Sequence, residues 1–150
     1  MSAVLPRKYI LYAEDDPDDQ LTFREMIADV EPTIDVITIN NGLQLMQHLE
    51  SIAPGMDYPC CIVLDMNMPI WDGMRTLYQI RLDNQYDDIP VIIFTTSNNP
   101  RDVARSQELG ATDFITKPSR SSEFEAIGLR FSEACKSPVK TRYMREVKYQ

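Results

Sequence analysis

No apolar run in this sequence approaches the ~20 residues needed to span a bilayer. The opening stretch, MSAVLPRKYILYAEDD, also lacks the basic, apolar and small-residue order of a secretory signal. The expectation is a soluble, cytoplasmic protein with no membrane contact. Histidine is nearly missing, His48 standing alone, and the three cysteines Cys60, Cys61 and Cys135 form no CxxC pair. Too few zinc ligands remain for a structural zinc site. Cys60 and Cys61 open the apolar run CCIVLD, so the cysteines read as small buried side chains rather than as a redox element. Positive charge is short as well: 15 Lys+Arg face 23 Asp+Glu, a net of −8. Nucleic-acid binding needs a basic patch, so no direct nucleic-acid contact is expected. The shortage is uneven. Residues 136–150 hold five Lys/Arg and one Glu, a net of +4, and subtracting that from −8 leaves −12 on the first 135 residues.

What is present fits one globular domain: 150 residues, 43% hydrophobic and 25% charged. Short β-branched and aromatic runs occur at residues 9–13, 34–39, 61–64, 91–94 and 114–115. Several are continuous rather than alternating, as in strands buried on both faces. Between them apolar residues fall at helical spacing: Phe23, Met26, Ile27, Val30; Leu45, Met46, Leu49, Ile52; Phe124, Ile127, Phe131, Ala134. Residues 71–83 also read as helix, and 100–109 as a weaker, mostly polar one. Asp16-Pro17 and Asn99-Pro100 look like N-caps followed by proline at the first helical position. Five β-α units in series predict an α/β fold, a doubly wound five-stranded parallel sheet. Pro138 ends the last helix and opens the basic tail.

In such sheets ligands sit beyond the carboxyl ends of the strands, where strand order reverses. The polar residues expected there are Glu14-Asp15-Asp16 after strand 1, Asp65 after strand 3, Thr95-Thr96-Ser97 at strand 4 and Thr116-Lys117-Pro118 at strand 5. Carboxylates crowded in one cleft repel each other. A divalent cation and the Lys117 ammonium would offset that, and an oxygen-only donor set suits Mg²⁺. A carboxylate so held can attack phosphorus to form an acyl phosphate.

The segments YILYAEDDPDD, IVLDMNMPIWDG, PVIIFTTS and GATDFITKP resemble the receiver domain of two-component response regulators, in that family's order and spacing. The resemblance covers residues 7–135, with 136–150 as a separate basic tail, and implies the flavodoxin-like (βα)5 receiver fold of a stand-alone, single-domain regulator. It implies Asp65 as phosphoacceptor and Glu14 and Asp15 as the acidic pair for Mg²⁺ (or Mn²⁺). It assigns Asn67 a metal-facing backbone carbonyl, Thr95 and Lys117 roles toward the phosphoryl group, and Thr95 with Phe114 the switch. Pro69 and Gly73 match the turn after the phosphorylation site. Small departures are Glu14 where Asp is common, Ala13 where a branched residue is usual, and Thr96 in place of a smaller residue.

Plainer roles stand beside these. Asp16 caps the first helix, and Asp18 and Asp19 favour its positive end. Phe114 is also readable as core packing, His48 as a half-exposed helix residue, and Trp71 either covers the site's rim or packs on its loop. The implied partners are a sensor histidine kinase and a downstream protein not named by the sequence, or a second copy of the chain. The alternative functions are a relay to a histidine phosphotransfer protein, or an aspartyl-phosphate phosphatase. The phosphatase pattern places a proton-shuttling Asp two residues after the nucleophile, where this chain has Asn67; the protein is therefore not expected to be an enzyme. A flavodoxin-like cofactor binder is disfavoured because no phosphate-cradling Gly/Ser/Thr loop follows strand 1. The resemblance further implies a cis Lys117–Pro118 bond. The predicted signalling surface is residues 100–135, flanked by the basic tail.

Overall fold

The computed structural model describes residues 7–142. Five strands alternate with five helices: β1 (Tyr9–Ala13), α1 (Pro17–Val30), β2 (Asp35–Ile39), α2 (Gly42–Ser51), β3 (Cys61–Leu64), α3 (Gly73–Leu82), β4 (Val91–Thr95), α4 (Pro100–Glu108), β5 (Asp113–Thr116) and α5 (Phe124–Ala134). Single 3₁₀ turns precede β4 (Asn84–Tyr86) and α5 (Ser121–Glu123). All strands are parallel, in the order β2-β1-β3-β4-β5. This is the doubly wound flavodoxin-like sheet that the alternation predicts.

The continuous apolar runs arise because both faces of the central strands are covered. Ile62 and Leu64 of β3 pack with Leu45, Leu49, Leu77 and Ile80 of α2 and α3. Cys61 and Val63 point the other way, toward Phe23 and Ile27 of α1 and Phe131 of α5. Phe23, Phe94 and Phe131 meet there with ring centroids 5.0–5.9 Å apart. Gly128 lets α5 approach α1 closely, since a Cβ there would lie 3.1 Å from Met26. The helix starts follow local chemistry. Asp16 accepts from the Asp18 amide at 2.8 Å with Pro17 next in line, and Asn99 accepts from the Arg101 amide at 3.0 Å before Pro100. α3 begins at Gly73 rather than Trp71 because Asp72 is its cap, accepting from Arg75 N at 2.8 Å.

Three expectations need correction. First, Cys60 and Cys135 are not free thiols: they form a disulfide across 75 residues, with Cα atoms 4.8 Å apart. Cys60 and Cys61 are buried as expected, but only Cys61 is a free thiol. The sheet order brings the residue before β3 against the last turn of α5, and nothing in the local sequence shows that. Second, the Lys117–Pro118 bond is trans, since no described peptide bond is cis. Third, the first part of the basic tail does not follow the α4-β5-α5 face. It runs across the pole where the strands begin. There Tyr58 N donates to Lys140 O (2.8 Å), Arg142 N to Met56 O (2.7 Å) and Gly55 N to Arg142 O (3.0 Å). The Arg142 guanidinium donates to the carbonyls of Glu50 and Ile52, closing the C-terminus of α2. Residues 143–150 of the tail lie outside the described residues.

Candidate functional site

The strand order reverses at β1, whose neighbours are β2 on one side and β3 on the other. Ala13 and Leu64 are register partners, so the residues that follow them, Glu14 and Asp65, emerge side by side. Asp65 N donates to Ala13 O at 3.1 Å and anchors the junction. Glu14, Asp15 and Asp65 each offer a carboxylate oxygen, and these oxygens lie within 4.8 Å of one another. Glu14 and Asp65 are buried while Asp15 is exposed. One hard cation can bind such a set, directly or through water.

Lys117, just past β5, reaches across to this cluster. Its ammonium lies 2.9 Å from Glu14 Oε2, 2.9 Å from Asp19 Oδ2 and 3.6 Å from Asp65 Oδ1. Burial alone would lower the lysine's pKa, but the hydrogen bonds to Glu14 and Asp19 outweigh it and hold the ammonium above its ordinary value. Asp65 is driven the opposite way. Burial pushes its carboxyl well above the usual carboxylate range, Lys117 pulls part of that back, and the Glu14 charge adds to the rise. The nearby Tyr12 hydroxyl donates to Glu14 Oε2 at 3.4 Å, and burial pushes its own pKa strongly up, so it stays a neutral donor.

Asp19 was read as a helix-end charge only. It lies in the first turn of α1, which starts directly after the strand-end acids, and nothing in the sequence singles out its pairing with Lys117. Thr95 is fully buried at the end of β4, and its hydroxyl accepts from Ser97 N at 3.3 Å. Phe114 lies on the edge strand β5, two strands from β3, half-buried against the α2/α3 side of the core. The structure thus gathers Glu14, Asp15, Asp65 and Lys117, keeps Thr95 beside them, and leaves Phe114 farther out. Asn67 is exposed on the loop after Asp65. That loop closes by Gly73 N donating to Met66 O at 3.0 Å, and a Cβ at Gly73 would overlap the Asp65 carbonyl oxygen. Ile70 on the loop has φ 68°, a left-handed conformation costly for a β-branched residue. Trp71 packs on the loop: it is partly buried, its carbonyl accepts from Gly42 N, and the Arg75 guanidinium lies 4.6 Å from its ring. His48 is half-exposed on α2, with Nε2 3.3 Å from the Tyr9 hydroxyl.

Residues 10–127 match the family model of the response regulator receiver domain. The chain belongs to that family. Among the receiver's relatives, response regulator Rcp1 of Synechocystis is 32% identical over 114 residues, covering 75% of this chain and 78% of Rcp1. The phosphorylated cyanobacterial phytochrome response regulator RcpA superposes with a TM-score of 0.77 at 29% identity, over 88% of this chain and 96% of RcpA. A Mn²⁺-bound form of Rcp1 gives 0.74 at 27% identity, over 89% and 98%. The chain is therefore a receiver domain of two-component signalling, and the sheet described above is the receiver fold. Among the described residues no helix is long and apolar enough to cross a membrane.

Proposed function

We propose that Asp65 of this receiver takes a phosphoryl group from the phosphohistidine of a sensor histidine kinase in the cytoplasm, and that the modified protein changes its protein contacts. The observation that carries the reading is a buried carboxylate at the switch point of the sheet, within reach of two further acids and one ammonium. One carboxylate oxygen of Asp65 attacks phosphorus, and the P–N bond to imidazole breaks. The imidazole nitrogen leaves with the electron pair.

Glu14, Asp15, Asp65 and the Asn67 carbonyl would hold Mg²⁺ (or Mn²⁺), which would offset the charge of the acids and of the incoming phosphoryl group. The all-oxygen donor set fits such an ion. Lys117 has three N–H donors, so one can stay on Asp19 while another turns to a phosphoryl oxygen. The Thr95 hydroxyl accepts from the Ser97 amide and, among the described residues, has its own proton free to donate toward the new oxygens. Phe114, half-buried on the edge strand, is the second element of the switch, and residues 100–135 form the responding face.

Intact mass after incubation with a small acyl phosphate tests this directly. A gain of one phosphoryl group is expected with Mg²⁺, and none with chelator or in Asp65→Asn. Equal labelling of that variant would remove Asp65 from the role.

A further inference from the structure

We infer that the Cys60–Cys135 disulfide is a reversible redox latch that holds the C-terminal strap, residues 136–142, and the last turn of α5 against the receiver body. The bond joins the residue just before β3 to the C-cap of α5, and the strap starts at the next residue. Lys8 Nζ donates to Cys135 O at 2.8 Å, so the latch end of α5 is already gripped from β1's side. From there the strap makes its three backbone bonds to residues 55–58 and plugs α2 with Arg142. Thr141 and Asp57 form an antiparallel bridge, and Lys140 pairs with Asp88 at 3.2 Å, an exposed contact.

These interactions are few and mostly solvent-facing, so the covalent tie governs whether the strap stays down. The strap also guards the bond. Cys60 and Cys135 are buried, and a surface hollow that reaches Cys60 is walled by Pro59, Asp88, Pro138, Val139 and Lys140. Cys61, the neighbouring thiol, is fully buried, and burial pushes its pKa up, so it does not reshuffle with the pair. The couple is therefore two-state.

The reductant is a protein or small-molecule dithiol. Its thiolate attacks Cys60 Sγ, the S–S bond breaks, and Cys135 leaves as thiolate. The second thiol of the reductant then displaces Cys60 from the mixed disulfide, and the reductant ends as a disulfide. Two electrons pass, and the two cysteine thiolates take up two protons. In a compartment kept reducing, disulfides are usually transient and sensing rather than structural. The redox inference rests on that cytoplasmic placement.

The full chain is equilibrated in oxidised and reduced dithiol buffers and followed by thiol alkylation and peptide-resolved amide exchange. Two alkylatable thiols should appear on reduction without denaturant. Exchange at residues 55–58 and 131–142 should then rise at least tenfold and outrun exchange in β1, β3 and β4. Cys60→Ser with Cys135→Ser should exchange like the reduced protein in either buffer. Two free thiols in the oxidised protein, reduction only after global unfolding, or unchanged exchange at the strap would each overturn the latch. Acyl-phosphate labelling of Asp65 is measured in both states; its failure would count against the phosphoacceptor role of Asp65 alone.

Discussion

At the scale of single residues the site is held by opposed charges, and stability should show it. Asp65 is the clearest case, because the folded state raises its pKa and so favours its protonated form. That contribution is full below the ordinary carboxylate range and is lost as pH rises through the raised value, about 7. Asp65→Asn should therefore match wild type near pH 4 and exceed it by roughly 1–2 kcal/mol at pH 8 without divalent metal. Urea denaturation across that range measures the gap; Mg²⁺ should narrow it by binding the native wild type. A variant less stable than wild type at pH 8 would contradict the raised pKa. Ile70 is a second residue-scale case. Its left-handed φ of 68° is not repaid by burial, since the side chain is 66% exposed. Ile70→Asn, better suited to that conformation, should raise the unfolding free energy by about 0.5–1 kcal/mol. A loss of stability would show that the loop is not strained there.

At the scale of elements, the helices differ in how firmly they are tied. α1 carries a capped, proline-led start and three buried apolar residues. Removing its cap with Asp16→Ala should cost about 1 kcal/mol, read as a lowered denaturation midpoint. α4 has a similar start, but its only buried residue is Ser106. It should exchange its amides faster than α1, α2, α3 and α5, and hydrogen exchange will report that ranking. Slow exchange in α4 would deprive the proposed responding face of its most movable element. The β3-α3 loop is constrained differently. Gly73 lies so close to the Asp65 carbonyl that a Cβ there would overlap it, which ties the start of α3 tightly to Asp65.

At the scale of the whole molecule, one covalent tie closes a 75-residue separation between β3 and α5. Chain-entropy arguments give up to about 4.5 kcal/mol for a loop of that size, and measured effects often fall below it. Reduction should thus lower the unfolding free energy by roughly 2–4 kcal/mol, measured by denaturation with and without dithiol. A change under about 0.5 kcal/mol would mean that the reduced chain is held as well by packing alone. The two poles of the sheet carry different work in this picture: carboxylates and lysine at the strand ends, strap and disulfide where the strands begin.

Much of this was legible in the residues. Parallel strands buried on both faces demand continuous apolar runs, so CIVL and VIIFT signal the sheet by themselves. Helix starts were equally local, because a cap and its proline lie within three residues of the amides they serve. The crevice rule then placed Glu14, Asp15, Asp65 and Lys117 in one cleft, since each directly follows a strand. What stayed hidden depends on geometry between distant segments. Asp19 pairs with Lys117 across 98 residues, the strap's bonds with residues 55–58 span more than 80, and Cys60 meets Cys135 across 75. The trans Lys117–Pro118 bond and the left-handed Ile70 are backbone choices that tertiary context imposed on residues whose own preferences point elsewhere or are weak. Composition and period determine which elements form and which face each buries; only the packed sheet decides which distant side chains become neighbours, because that depends on strand order and helix docking rather than on any local propensity.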